Sequence, residues 1–313
     1  MEQRNVGRSG LRVSVVGLGC NNFGALDVEA SRKVVHRALD LGITLLDTAD
    51  VYGNRGGSET QLGEILGPRR KDIVLATKFG MPMDEAGGKS GASRRYIVEA
   101  CEASLTRLKT GWIDLYQLHR PDASTPLDET LAALDDLVRA GKVRYIGCSN
   151  LPSWQVADAD WIARDRHLSH FVSAQDEYSL LVRDAERELI PSLQAHGLGL
   201  LPYFPLASGL LTGKYKHGQD IPGGTRMALM KRMSDRYMTD ANWDIVGKLG
   251  SFCAERGHGL LELAFSWLAA RPQLSSVIAG ATKPEQIEAN VKAVEWKLSA
   301  DEIAEVDRLT KKA

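Results

Sequence analysis

Four side chains able to hold or move a proton stand at the ends of apolar runs or just beyond them. Asp47 ends the apolar part of TLLDTA, Lys78 ends IVLATK, His119 ends IDLYQLH, and Tyr52 lies five residues past Asp47 in a turn that Gly53 loosens. A lysine at the rim of a buried strand is desolvated unless an opposite charge is near, and Asp47 is the natural partner for Lys78. A phenol titrates at about 10 in water, and a neighbouring ammonium lowers that value, so Tyr52 beside Lys78 could exchange a proton at neutral pH. His119 could then hold a substrate oxygen next to the phenol hydroxyl. Taken singly, each residue has a plainer explanation: a cap for Asp47, a packed aromatic for Tyr52, a charge snorkelling to solvent for Lys78, a hydrogen-bonded core histidine for His119. Packing alone does not readily bring all four to corresponding positions.

What would hold them together is an alternation of short strand-like runs with longer amphipathic patterns. The runs are residues 15–19, 44–49, 73–78, 113–119, 143–150, 171–177, 198–205 and 275–280. The clearest helix falls at 127–140, where Thr125 can cap, Asp128 and Glu129 suit the N-terminal dipole, Leu127, Leu131, Leu134 and Val138 form a stripe, and Gly141 stops the helix. Residues 93–109 and 184–195 read similarly. Eight strands each followed by a helix, in a chain of 313 residues, predict a single-domain α/β (β/α)8 TIM barrel over residues 1–313, with a doubly wound sheet as the rival. Residues 2–13, bending at Arg8-Ser9-Gly10, are expected as an N-terminal β-hairpin closing the barrel bottom, and extra helices are expected at the C-terminus. Residues 206–240 form a long polar excursion of the kind that is functional or disordered.

In such a barrel the active site is built at the carboxyl ends of the strands. Asp47, Lys78, His119, Ser149, Asn150, Gln175 and Tyr203 all fall there. Composition narrows the alternatives. The chain is 43% hydrophobic and 25% charged, with 39 basic against 40 acidic residues and a net charge of -1, which argues against nucleic-acid or membrane-surface partners. Its four cysteines are scattered without metal-ligand spacing, no apolar stretch reaches roughly 18 residues, and the N-terminus lacks a signal core, so a cytoplasmic, metal-free protein is expected. GLGCNNFG fails as a dinucleotide fingerprint because Asn22 replaces the third glycine. His167 and His170 in HLSH suggest metal ligands, but no carboxylate or cysteine completes a site, and a surface helix end is the expected reading.

The stretches LLDTADVYG, LATKFG, LYQLHRPD, GCSN and VIAGATKPEQIEAN closely resemble the aldo-keto reductase superfamily, and the resemblance spans essentially the whole chain. It implies an oxidoreductase that moves hydride between a nicotinamide cofactor, usually NADPH, and a carbonyl. It also implies a catalytic tetrad at Asp47, Tyr52, Lys78 and His119, in which Tyr52 is the general acid, Lys78 paired with Asp47 tunes it, and His119 orients the carbonyl.

On the cofactor side, the resemblance places Ser149, Asn150 and Gln175 at the nicotinamide carboxamide and Tyr203 on the nicotinamide ring. Cys20, Asn21 and Asp47 would line its edge. The segment from Phe204, Pro205 and Leu206 through Ser208, Gly209 and Leu210 to Lys214 would cradle the pyrophosphate, with Arg226 nearby. Gly280, Thr282, Lys283, Gln286 and Asn290, at the start of a helix, would meet the adenosine 2′-phosphate and adenine. Gln286 stands where many relatives have arginine, and Ala289 where an acid is common, so NADH use stays open. Phe79, Arg120 and Tyr178 are expected as substrate-pocket walls, although packing would also explain Phe79 and Tyr178, and a rim salt bridge Arg120. Loops 79–92 and 206–240 would shape the pocket, and the substrate class is a small carbonyl compound or sugar. Oligomeric state is open. The main alternative is a redox-sensing, cofactor-binding regulatory subunit similar to potassium-channel beta subunits. In those relatives the His119 position is commonly asparagine, so the histidine favours an enzyme. A metal-dependent hydrolase on the same barrel would want paired histidines after the first strand, and VVGLGC has none.

Overall fold

The computed structural model describes residues 1–311. Its strands are β1 (Gln3–Asn5), β2 (Arg12–Ser14), β3 (Val16–Gly19), β4 (Leu45–Asp47), β5 (Val74–Phe79), β6 (Ile113–Leu118), β7 (Val143–Ser149), β8 (Phe171–Gln175), β9 (Gly199–Leu200) and β10 (Val277–Gly280). The helices are α1 (Val28–Asp40), α2 (Tyr52–Ile65), α3 (Arg94–Leu108), α4 (Leu127–Arg139), α5 (Ser153–Asp165), α6 (Leu189–His196), α7 (Arg226–Leu229), α8 (Lys231–Tyr237), α9 (Asp240–Ala254), α10 (Leu260–Ala269), α11 (Pro284–Lys292) and α12 (Ala300–Leu309). Strands β3 to β10 form one parallel sheet in the order β10-β3-β4-β5-β6-β7-β8-β9. Its two ends meet, because Leu200 N–H donates to the Gln273 carbonyl (2.7 Å) and Ser275 N–H donates to the Leu200 carbonyl (3.0 Å). The sheet therefore closes as a (β/α)8 barrel, and the doubly wound alternative, with its free sheet edges, is excluded.

The alternation of side chains along each strand explains how one barrel holds both a dry core and a polar mouth. Leu45, Ala76 and Leu115 point inward in a lower layer, and two residues later the same strands present Asp47, Lys78 and Gln117. The outward residues Leu46, Leu75, Tyr116 and Phe79 pack against the helices. The hairpin of β1 and β2 seals the bottom as expected. Gln3 pairs with Ser14 and Asn5 with Arg12, and Val6, Leu11 and Val13 pack beneath Leu45, Ala76, Leu115, Leu201 and Ile278. Gly7 makes the bend possible: its φ is 57°, and its Cα lies so close to the Gly197 carbonyl that no side chain would fit.

Several boundaries differ from expectation. Thr125 does not cap α4; Pro126 precedes the helix, and Thr125 Oγ1 donates instead to Asp122 Oδ2 (2.8 Å). Residues 184–195 split into a 3₁₀ turn (Asp184–Glu186) and α6. The seventh barrel strand shrinks to two residues; Leu201 N–H and Tyr203 N–H still donate to the Ala174 and Asp176 carbonyls (2.9 and 3.0 Å), whereas Pro202 has no N–H to follow that of Leu200 on the opposite side. Of the added helices, α12 is C-terminal, whereas α9 is inserted ahead of α10 and the two come together outside the barrel, with Arg256 bridging to Glu302 and Glu305. The excursion at 206–240 is not structureless, for it holds a 3₁₀ segment (Ala207–Thr212), α7 and α8. His170 does meet a carboxylate: Asp160 on α5 takes both His170 Nδ1 (2.9 Å) and His196 Nδ1 (2.8 Å), which joins α5 to the end of α6. All four cysteines are free buried thiols, and among the described residues no helix is long and apolar enough to cross a membrane.

Candidate active site

Lys78 is 0% and Asp47 3% exposed, and Lys78 Nζ donates to Asp47 Oδ2 (2.7 Å) and to the Thr48 carbonyl (2.9 Å). The carboxylate is held from its other side by Gln175 Nε2 (2.9 Å) and Gln117 Nε2 (3.4 Å), both on Oδ1. Burial pulls the ammonium toward its neutral form, but Asp47 and then Tyr52 outweigh this, so the Lys78 pKa lies above the ordinary lysine value. Its Nζ is 5.1 Å from the Tyr52 ring centroid, near enough for its charge to act on the phenol.

The Tyr52 pKa is raised, not lowered. Burial is the largest influence; Lys78 opposes it, while Asp47, which neutralises that ammonium, works against the opposition. The phenol is therefore held as a neutral acid with a cation beside it. His119 closes the group from β6, its ring edge-on to Tyr52 at 5.7 Å between centroids. Burial, then Lys78 and Arg120, drive the His119 pKa down to about 3, so the imidazole is neutral throughout the physiological range, and Nδ1 is buried without a partner among the described residues.

The turn carrying Tyr52 is anchored from several directions. Ser58 Oγ donates to the Cys20 carbonyl (2.8 Å) and meets Thr48 Oγ1, while Glu59 accepts from Thr77 Oγ1 (2.5 Å) and Arg107 Nε (2.7 Å). Gly53 (φ 67°) has Phe23 O and Ser58 N where a Cβ would stand, at 2.5 and 2.6 Å. Asn54 and Arg55 continue in the left-handed conformation at φ 60° and 65°. Such a backbone costs an arginine roughly 1–2 kcal/mol, so Arg55→Gly is expected to stabilise the fold by up to about 1 kcal/mol, seen as a higher urea midpoint. A lower midpoint would mean that Arg55 side-chain contacts outweigh the backbone cost. Beside this turn, Asp50 is buried with both carboxyl oxygens unpartnered among the described residues; burial and then Glu59 raise its pKa to about 8.

The expected cofactor residues lie around the same mouth. Ser149 Oγ donates to the Gln175 carbonyl (2.7 Å), Asn150 Nδ2 donates to the His119 carbonyl (3.0 Å), and Tyr203 OH donates to Asn150 Oδ1 (2.8 Å). Ser149, Asn150 and Gln175 thus brace the tetrad as well as facing the mouth. In the 204–214 segment Phe204, Ala207, Ser208 and Gly209 all have positive φ, Ser208 Oγ is buried without a partner among the described residues, and Lys214 Nζ packs over Gly209. An orphaned hydroxyl and a cation on a tightly coiled loop suit a phosphate group. Pro205, Leu206 and Leu210 form the body of this loop, packed inward to differing degrees. Arg226 crosses to the opposite rim, where Nη2 donates to Asn22 Oδ1 (2.8 Å). Asn21 and Asn22 flank Gly280, and Cys20 is fully buried with its thiol pKa pushed up by burial. At the start of α11, Gln286 Oε1 accepts from Thr282 N (2.7 Å), Thr282 Oγ1 (3.2 Å) and Lys283 N (3.2 Å), so the residue standing in place of arginine caps the helix; Asn290 is buried behind it.

Two expected pocket walls are placed elsewhere. Phe79 alternates with Lys78, so it points outward and packs on Tyr116 with centroids 4.7 Å apart. Tyr178 is buried against Trp267 and donates to Glu186 Oε1 (2.6 Å), on the helix side of the barrel. Arg120 is exposed at the mouth and forms no ion pair among the described residues. Gln117 was missed. Its signal was the two-residue step from inward Leu115, which puts the glutamine in the polar layer opposite Lys78.

Comparison with known proteins gives a consistent picture. A family model described as "Aldo/keto reductase family" matches residues 15–311. The chain is 40% identical over 306 residues to a probable voltage-gated potassium channel subunit beta of Arabidopsis thaliana, covering 94% of this chain and 92% of the relative. It is 38% identical over 312 residues to the uncharacterized oxidoreductase YrpG of Bacillus subtilis (96% and 92%), and 34% identical over 321 residues to an L-glyceraldehyde 3-phosphate reductase of Escherichia coli (98% and 92%).

Proposed function

Since the chain belongs to the aldo/keto reductase family, we propose that it is an NADPH-dependent carbonyl reductase acting on small aldehydes or ketones, or on sugars in the reverse direction. The observation that carries this reading is the meeting, at one barrel mouth, of a neutral half-buried phenol, a paired ammonium and a neutral imidazole. A reduced nicotinamide, when bound, supplies the hydride. Ser149, Asn150, Gln175 and Tyr203 would hold its ring, the Ser208–Lys214 loop its pyrophosphate, and Thr282 and Lys283 the adenosine end.

The tetrad's own contribution is positional and electrostatic. His119, neutral and edge-on to Tyr52, directs a ring N–H at the carbonyl oxygen. Tyr52 gives that oxygen its phenolic proton as negative charge develops there, and Lys78 stabilises the phenolate left behind. Asp47 keeps the lysine charged without solvent, and Gln117 and Gln175 keep Asp47 from rotating away. Because Gln286 is engaged in capping, discrimination for the 2′-phosphate rests on Thr282 and Lys283, and NADH should be tried alongside NADPH.

The deciding experiment is a turnover screen of the purified protein with aldehydes, ketones and aldoses against NADPH and NADH. Turnover with simple carbonyls supports the enzyme. The plant relative's name favours a second reading, a cofactor-binding regulatory subunit, which would bind NADPH and show no turnover with any member of the panel.

A further inference from the structure

Arg120 is the charged residue at the mouth that the mechanism above does not use. Its backbone is fixed there: His119 N–H continues the β5–β6 ladder by donating to the Phe79 carbonyl (2.9 Å), and the His119 carbonyl accepts from Asn150 Nδ2 (3.0 Å). The guanidinium stands in solvent one residue from the imidazole. Its charge depresses the His119 pKa and also reaches Tyr203, which lies beyond β9 and across the mouth.

Among the described residues, none of the acids near the mouth pairs with Arg120. Asp47 is taken by Lys78, and Glu177 by Arg236 and Tyr237 of α8. Asp122, two residues along, accepts from Ala92 N (2.7 Å), Ser124 N (2.8 Å), Ser124 Oγ (2.5 Å) and Thr125 Oγ1 (2.8 Å). Asp176, just past the end of β8, is half-buried, with Oδ2 turned out of solvent and without a partner among the described residues. The Asp122 bond to Ala92 N also holds the neck of the 79–92 loop, where Gly91 N–H donates to the Gly80 carbonyl (2.9 Å). A rim salt bridge, the plain explanation for this residue, is absent among the described residues.

We propose that Arg120 is a specificity residue for carbonyl substrates bearing an anionic group, a phosphate monoester or a carboxylate, a few atoms from the reducible carbon. The planar guanidinium fork suits either anion in a two-pronged hydrogen bond, and His119, the next residue, would hold the carbonyl oxygen of the same molecule. This rests on the reductase reading and sharpens it.

The test compares matched substrates in the purified wild-type protein with NADPH: glyceraldehyde against glyceraldehyde 3-phosphate, and butanal against succinic semialdehyde. The wild type is expected to favour the charged member of at least one pair about tenfold in kcat/KM, mostly through KM, with the advantage shrinking as salt is raised. Preference in the first pair alone assigns a phosphate, in the second alone a carboxylate, and in both a general anion. Arg120→Gln should erase the preference while leaving the neutral aldehydes within about threefold, and Arg120→Lys should keep part of it. Equal wild-type rates within both pairs, or an Arg120→Gln variant that loses charged and neutral substrates alike, would overturn the proposal while leaving the reductase reading intact. Failure to turn over any of the four would overturn this inference, and the reductase reading would fall with it only if the wider panel of aldehydes, ketones and aldoses also gave no turnover.

Discussion

Tyr52→Phe is expected to lower the rate of carbonyl reduction by 10²- to 10⁴-fold with little change in stability or in cofactor affinity. The reasoning is local. The phenol is half-buried with its ammonium partner nearby, and deleting one oxygen removes the proposed proton donor while the ring still packs edge-on against His119. Cofactor binding, read by quenching of tryptophan fluorescence, would on the proposed reading draw on the Ser208–Lys214 loop and the start of α11, neither of which the substitution touches. A Tyr52→Phe variant that reduces aldehydes at near wild-type rate would show that another group delivers the proton.

Asp47→Ala carries the second large effect, this time on the fold. It leaves the Lys78 ammonium, 0% exposed, with only the Thr48 carbonyl, and leaves Gln117 and Gln175 without their shared acceptor. Removing one partner of a buried pair costs about 3–5 kcal/mol, because the other charge remains unpaired. Urea unfolding at neutral pH should show a loss of that size together with loss of turnover. Adding Lys78→Met should recover most of the stability and none of the activity, which separates the pair's structural part from its chemical one. A loss below about 1 kcal/mol in the single variant would mean that water or another group reaches the ammonium.

Much of this site was legible before any coordinates. Alternating strand runs and amphipathic stripes announced the barrel, and the position of Asp47, Lys78 and His119 at run ends announced a shared face. What sequence could not weigh was burial against charge at Tyr52. The neighbouring ammonium suggested an acidified phenol, yet desolvation and the screening of Lys78 by Asp47 turn the shift upward. Side-chain direction at the ends of runs was equally hard to judge. Phe79 lies one residue beyond inward Lys78, so the pleat sends it outward, and Tyr178 follows β8 by three residues into a turn whose course depends on Trp267 and Glu186. Gln117 was readable from the pleat, whereas Asn22 was not, since only the fold brings the first βα loop within reach of Arg226.

The central claim is that Tyr52, rather than His119, delivers the proton, and the pH dependence of single-turnover hydride transfer at saturating cofactor and substrate tests it most directly. A donor must be protonated to act, so the rate is lost as pH rises through the donor's pKa. With the phenol above its ordinary value of about 10 and the imidazole neutral down to about pH 3, the rate should stay level across neutral pH and fall only in strong alkali, above about pH 10. A fall centred between about pH 6 and 7, where an ordinary histidine gives up its proton, would contradict the account.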